Sequence, residues 1–318
     1  LYRQRIMVLT GTGSIETAVL AMKKGAHDFL QKPVNPDILL LALQRAFNYI
    51  QERSDCQNLK KEIGDAAGFD KFVFQSEVMS DLLRTAREYA ATTHSILISG
   101  ETGTGKELLA QAIHASSRRG NRHLIAVNCA SIPDTLIESE LFGYEKGAFT
   151  DARAMKPGIV EIANKGTLFL DEIGDVSPIV QPKILRFIQS GEFRRVGGNT
   201  TLNADVRILS ATNKNLKEEV REGRFREDLL YRLNVITIEI PSLRQRKQDI
   251  PLLVASFLAN RMKTKVKTTI SPKAMEVLID YDWPGNIREL ENVIERAAIL
   301  CRNGVIEPQD FSLPNAPM

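Results

Sequence analysis

The stretch Ser95-Ile-Leu-Ile-Ser-Gly-Glu-Thr-Gly-Thr-Gly-Lys-Glu-Leu-Leu-Ala-Gln-Ala-Ile113 decides the fold. Its first five residues form an apolar run with the length of a buried strand, and Leu108 to Ile113 has helical character. Between them, Gly100, Glu101, Thr102, Gly103, Thr104, Gly105, Lys106 and Glu107 make a glycine-rich turn. Strand, glycine-rich turn and helix together are the context of a phosphate-binding loop. The glycines free the backbone to aim N–H groups inward, where they and the helix N-terminus face phosphate oxygens. Lys106 adds a point charge for the outer phosphates. A lone glycine-rich loop could be a structural turn; a downstream strand ending in Asp-Glu argues against that. The usual loop ends Lys-Ser or Lys-Thr, whose hydroxyl binds magnesium; Glu107 stands there instead and could approach the metal directly, through water, or not at all.

Working outward, a second motif supports the first. Gly166-Thr-Leu-Phe-Leu-Asp-Glu-Ile173 reads as a buried strand ending in two carboxylates, Asp171 and Glu172. Phosphoryl transfer from a nucleoside triphosphate needs charge neutralisation and an oriented water. Asp171 is placed to hold Mg2+, and Glu172, also near the metal, to polarise the attacking water. The run Val206 to Asn213 is a further strand with Thr212 and Asn213 at its polar end. Residues 71–240 alternate strand and helix patterns, as a parallel α/β sheet flanked by helices requires. From 241 to 318 the patterning turns helical: 249–260, 272–281 and 286–301 carry helix-type apolar spacing. A small helical domain after the sheet is therefore expected.

Composition agrees with globular domains and removes several function classes. The chain has 318 residues, 43% hydrophobic and 25% charged, a length suited to about two domains. Its net charge is +3, from 42 basic and 39 acidic residues, too balanced for a dedicated nucleic-acid surface. Short charged clusters such as Arg244-Gln-Arg-Lys247 are expected to be solvated faces. Cys56, Cys129 and Cys301 lack metal-ligand or disulfide-framework spacing, and the four histidines are dispersed. No apolar stretch nears the ~20 residues of a membrane span, and no leader pattern is visible, so a reducing, cytoplasmic setting is expected. Residues 1–45 read as strand, helix, strand, helix, with Ile6-Met-Val-Leu9 and Asp28-Phe-Leu30 as strands. Opening inside a strand-like run at Leu1 suggests a fragment. Residues 46–70 read as a connecting helix whose apolar positions thin out after Ile50.

The glycine-rich loop with its final Glu107, the segment Glu140-Leu-Phe-Gly-Tyr-Glu-Lys-Gly-Ala-Phe-Thr-Asp-Ala152 and Trp283-Pro-Gly-Asn-Ile-Arg-Glu-Leu290 occur in an order that resembles the sigma-54-dependent transcription activators, the NtrC-type AAA+ proteins. The resemblance covers about 72 to 313. It implies a P-loop AAA+ fold with a C-terminal helical lid, binding ATP and Mg2+. Asn128 matches the amide that holds the catalytic glutamate inactive; read alone, it could simply cap a strand or satisfy a backbone group. Thr212-Asn213 resembles the sensor of the terminal phosphate, and Arg288 on the lid resembles a second sensor. Arg226 and Arg232 resemble arginine fingers reaching a neighbouring subunit; the bland alternative is an ion pair with Glu227 or Asp228. Gly147, Ala148, Phe149, Thr150, Asp151 and Ala152 resemble the loop that contacts the sigma-54 factor of RNA polymerase holoenzyme. The commonest family form has glycine where this chain has Asp151.

The resemblance further implies a homo-oligomer, a ring of six or seven subunits when active and a dimer when inactive. Residues 1–45 resemble the C-terminal half of a flavodoxin-like response-regulator receiver, with Thr10 at the switch position and Lys32-Pro33 at its lysine and cis-peptide turn. The receiver's phosphoacceptor aspartate is expected upstream of Leu1. Promoter or enhancer DNA is expected to be met only by a helix-turn-helix outside this chain. The implied activity is ATP-driven remodelling of the closed sigma-54 polymerase complex into the open one. The rival reading is a non-hydrolysing nucleotide switch or DNA-tethered repressor, for which Glu172, Arg226 and Arg232 would have no use.

Overall fold

The computed structural model describes residues 7–10, 28–32, 68–150, 152–260, 268–301, 304–311 and 313. The chain divides into two compact units, Leu1–Ala66 and Ala67–Met318. In the first, β1 (Met7–Thr10) pairs parallel with β2 (Asp28–Gln31), as expected of an α/β fragment. The helices expected around these strands, the turn at Pro33 and the connecting helix lie outside the described residues.

The second unit is built on a five-stranded parallel sheet. Its strands are β3 (Ile96–Ser99), β4 (Leu124–Asn128), β7 (Thr167–Asp171), β10 (Arg207–Thr212) and β11 (Ile236–Glu239), in the order β11-β3-β10-β7-β4. Their apolar runs are nearly unbroken because both faces are covered. Ile96, Ile98, Phe169, Leu209 and Ala211 point to one side, against α1 (Glu77–Ala90) and α2 (Lys106–Ala115). Leu97, Leu168, Leu170 and Ile208 point to the other, where α3 (Asp134–Phe142), α4 (Ile159–Ile162), α5 (Gln181–Ser190) and α7 (Glu227–Leu233) pack; the short α6 (Leu216–Arg221) contributes Leu216. The alternation is the period of two expected of strands.

Two hairpins interrupt the α/β order. The first, β5 (Gly143–Tyr144) with β6 (Lys156–Pro157), directly follows α3; the second is β8 (Glu192–Phe193) with β9 (Leu202–Asn203). The helical domain has its own core, with Leu243, Leu253, Val254, Leu278, Trp283, Leu290 and Ile294 buried between α8 (Ile250–Asn260), α9 (Pro272–Asp280) and α10 (Asn286–Leu300). Ser271 caps α9 by accepting from the Ala274 N–H, with Pro272 at the first turn. The strands Thr269–Ile270 (β12) and Val305–Ile306 (β13) close it.

Candidate nucleotide site

Parallel strands leave their C-terminal ends on one edge of a sheet, and ligands of such sheets bind there. Ser99, Asn128, Asp171 and Thr212 all end strands on that edge. The loop after β3 is anchored from its first residue, where the Gly100 N–H donates to the Thr212 carbonyl at 3.3 Å. Gly103 and Gly105 take positive φ of 80° and 104°, open to glycine at little cost. A Cβ at Gly103 would lie 2.3 Å from the Gly285 carbonyl, so a side chain is excluded; a Cβ at Gly105 would meet nothing within 4 Å. Open space beside the N-terminus of α2 suits phosphate oxygens. Thr104 is buried and donates its hydroxyl to the Glu101 carbonyl at 2.8 Å.

Lys106 is buried, and its ammonium donates to the Gly100 and Glu101 carbonyls at 2.9 and 3.3 Å. It also lies 3.7 Å from Glu172 Oε1. The other oxygen of Glu172 accepts from the Asn213 N–H at 3.1 Å, while the Asn213 side-chain amide donates to Thr102 Oγ1 at 2.9 Å. Glu172 itself sits in the left-handed region at φ 50°, a strained position for a residue with a Cβ. Four sequence-read elements thus converge: the loop, its lysine, the carboxylate strand and the polar end of β10. The Thr212 hydroxyl is buried and accepts from the Lys214 N–H at 3.0 Å.

Burial pushes the Asp171 carboxyl above the usual carboxylate range; the Glu172 N–H and the charge of Lys106 pull the other way, and Glu107 adds to the rise. A desolvated carboxylate of this kind is suited to a cation. Among the described residues no group of three or more His, Cys, Asp or Glu side chains could hold a metal unaided. Glu107 is exposed, and its carboxylate accepts from Gln111 at 3.2 Å. Beside Asp171, burial and the neighbouring Asp171, Asp175 and Glu172 charges push the Cys129 thiol up to about 12, so it is an inert packing group.

Other expected residues have different surroundings. Asn128 pairs with Asp171 across β4 and β7, but its Oδ1 accepts from the Ser131 N–H at 3.1 Å. Its amide therefore caps the following turn, one of the alternatives open in the sequence, and makes no hydrogen bond to Glu172 here. Arg226 forms a two-point ion pair with Asp228, at 3.0 and 2.7 Å. Arg232 is exposed, and among the described residues neither arginine bonds its own loop or Glu172. Arg288 faces the site from α10, close enough that its charge acts on Asp171. It lines a groove of about 820 Å³ with Thr102, Gly285 and Asn292. The Phe149 loop spans the tip of the first hairpin. Its Gly147 N–H donates to the Ala152 carbonyl at 2.8 Å, and Phe149, 41% exposed, meets Tyr144 edge-on at 4.8 Å. Ala152 is buried and Thr150 exposed; Asp151 lies outside the described residues.

One expectation is corrected. The Arg244-Gln-Arg-Lys247 cluster is not simply a solvated face. Arg246 is buried and donates to the Thr104 carbonyl at 3.2 Å, and Arg244 forms a two-point pair with Glu101. That pair, with a bond from Asn286, holds the Glu101 carboxyl below its usual range. Asn286 is fully buried: its Oδ1 accepts from the Leu243 N–H at 2.7 Å and its Nδ2 donates to Glu101 and to the Thr102 carbonyl, each at 3.1 Å. The Ile287 N–H donates to the Gly103 carbonyl at 3.0 Å. Three successive loop carbonyls are thus held by the helical domain and the segment leading to it. Arg246 lies between Gln245 and Lys247 in the sequence, so no apolar period marks it as buried.

The sigma-54 interaction domain matches residues 72–239 and the AAA+ ATPase lid domain matches residues 244–315. The chain is 48% identical over 310 residues to the transcriptional regulatory protein ZraR of Salmonella typhimurium, covering 97% of this chain and 69% of that protein. It is 44% identical to the regulatory protein AtoC of Escherichia coli, covering 97% and 68%. Among solved structures, NtrX from Brucella abortus in complex with ATP superposes with a TM-score of 0.73 at 38% identity, covering 96% of this chain and 70% of that one.

Proposed function

We propose that this chain, which belongs to the sigma-54-dependent transcriptional regulators of the NtrC-type AAA+ family, hydrolyses ATP in a homo-oligomeric ring and spends the turnover on opening sigma-54 polymerase at promoters. The observation that carries the reading is the convergence on Glu172. Lys106, the Asn213 N–H and, through Asn213, Thr102 of the loop all bear on one carboxylate. An acidic pair with only a structural role would not be tied to a phosphate-type loop from both sides.

In this reading the loop amides and Lys106 neutralise the phosphates, and Asp171 would hold Mg2+, which would supply further charge neutralisation at the phosphates. Glu172 orients and polarises the attacking water. Asn213 links Glu172 to the loop, so phosphate contact at Thr102 is communicated to the carboxylate. Arg226 and Arg232 project from α7 to a neighbouring subunit's nucleotide, and Arg288 reports nucleotide to the lid. Asn128 stands on the adjacent strand end, and rotation of its amide from Ser131 to Glu172 would switch the site off. A cytoplasmic setting fits these partners, and no described helix is long and apolar enough to cross a membrane.

The exposed loop around Phe149 is the contact with sigma-54. A half-exposed aromatic ring, seated on Tyr144 rather than in the core, is an anchor available to a partner. The test is a promoter-opening assay with sigma-54 polymerase run beside ATP hydrolysis. Phe149→Ala should lose opening by far more than hydrolysis. Asp151→Gly should keep or improve opening, because it frees the backbone and removes a charge. Opening by Phe149→Ala at the parent rate would sink the remodelling role and favour a nucleotide switch.

A further inference from the structure

Gln181, the first residue of α5, is fully buried, and both its side-chain N–H groups and its oxygen are hydrogen-bonded. Its Nε2 donates to the Val176 carbonyl and to the Arg224 carbonyl, each at 2.9 Å, and its Oε1 accepts from the Arg226 N–H at 2.8 Å. These partners belong to two functional segments. Val176 ends the short turn that Glu172 begins, a turn closed by the Asp175 N–H on the Glu172 carbonyl at 2.9 Å. Arg224 and Arg226 flank the buried Phe225 at the entry to α7.

The segment before Arg226 is rigid on its other side as well. Arg224 makes a two-point pair with Glu219, at 2.7 and 2.8 Å, and the Arg224 and Phe225 N–H groups both donate to the Glu219 carbonyl. Asp228, which holds the Arg226 guanidinium, also accepts from the Leu229 N–H at 2.8 Å. The backbone of Arg226 is therefore fixed at one point by Gln181, and its side chain is aimed by Asp228. One amide spans from the end of the carboxylate turn to the arginine.

Resting on the reading of Arg226 as a finger that acts in a neighbouring site, we propose that Gln181 is a positioning residue. It sets the finger's backbone relative to the Glu172 turn of its own subunit, so that the state of one site is passed to the finger serving the next. A displacement of the finger by about 1 Å is enough to cost on the order of 10²-fold in rate. The role predicts an asymmetry that a merely structural role does not: a subunit lacking Gln181 is poor as a finger donor but sound as a nucleotide acceptor.

The experiment uses Gln181→Leu in the full chain, with ATP affinity, ATP hydrolysis and assembly measured. Alone, the variant should bind ATP within about twofold of the parent and lose on the order of 10²-fold in kcat. Mixed with Lys106→Ala protein, whose fingers are intact, it should regain hydrolysis. Mixed with Arg226→Ala protein, it should not. Failure to recover with Lys106→Ala, or recovery with Arg226→Ala, overturns the proposal. The control mixture of Arg226→Ala with Lys106→Ala must itself recover; if that control alone fails, the fault lies with the trans-acting finger. Gln181→Met fills a similar volume without burying a charge against the two carbonyls and carries the same mixing test should the leucine variant not fold. It too should recover with Lys106→Ala and not with Arg226→Ala, and the reverse pattern would overturn the proposal.

Discussion

Replacing Asn286 by alanine removes the buried amide that ties the helical domain to the phosphate loop. The cost is the sum of three effects. The Leu243 N–H loses its 2.7 Å acceptor inside the protein, worth about 1–3 kcal/mol for an orphaned buried donor. The Thr102 carbonyl loses a donor, worth about 1 kcal/mol. Asn286 also sits at φ 53°, where alanine costs about 1–2 kcal/mol and asparagine less. The expected loss is roughly 3–6 kcal/mol from these contributions together. Asn286→Gly relieves the backbone part and should recover about 1 kcal/mol of it. Chemical unfolding followed by fluorescence is the assay, because the chain's single tryptophan, Trp283, is fully buried three residues away. A loss below ~1 kcal/mol for alanine, or a glycine variant no better than alanine, would refute the reasoning.

Glu172→Gln should bind ATP and lose at least about 10²-fold in turnover, since an amide does not polarise water as a carboxylate does; hydrolysis at the parent rate would remove Glu172 from its role. Lys106→Ala should instead weaken ATP binding, measured by direct titration. Arg226→Ala and Arg232→Ala should each abolish turnover while keeping ATP affinity, and each should be rescued in mixed rings with Lys106→Ala. Rings shown to contain both subunits yet still inactive would place the arginines in their own chain or in assembly. Asp171→Asn should abolish hydrolysis while raising Tm by a few degrees at most. Burial lifts the folded carboxyl above its unfolded range, so the stability it contributes is present at acid pH and lost as pH rises through the folded value. The gain from asparagine should therefore be largest at neutral pH and vanish below the unfolded value; a gain that grows toward acid pH contradicts the assignment.

The local motifs were legible because each is a short stretch whose residues act together. Gly100 to Lys106 form one loop, and Leu168 to Asp171 must be a covered strand to be so apolar; both lie where the sequence places them. The helices at 250–260, 272–280 and 286–300 follow from apolar spacing and from signals such as Ser271-Pro272. What the sequence hides is pairing between distant residues. Arg246 and Asn286 look like surface residues, yet both are buried against the phosphate loop, 142 and 184 positions away from their partners there. Gln181 gives no signal at all, because a glutamine earns its burial only when three backbone partners happen to surround it. Asn128, read in the sequence as a partner of Glu172, a strand cap or a backbone partner, accepts from the Ser131 N–H in the structure, a bond between neighbours that the sequence does not mark.

The placement of the first hairpin gives the proposed remodelling a mechanical basis. Asn128 ends β4 at the site, the turn Cys129–Ser131 follows, and α3 leads without a linker into Gly143. Only 20 positions therefore separate Asn128 from Phe149, and most of them lie in helix or paired strand. The hairpin is braced on its far side by the second one: the Glu145 N–H donates to the Val196 carbonyl at 3.0 Å, and the Val196 N–H to the Gly143 carbonyl at 2.8 Å. Arg195 joins Glu145 at 2.8 Å and Glu161 at 2.9 Å, so one guanidinium holds both the residue that follows the rising strand and the helix after the falling one. A loop carried on a flexible tether would dissipate a displacement at the site through rotation of its backbone. Here the backbone between site and tip is already hydrogen-bonded, so a shift of the strand end has few soft dihedrals in which to be absorbed before it reaches Phe149.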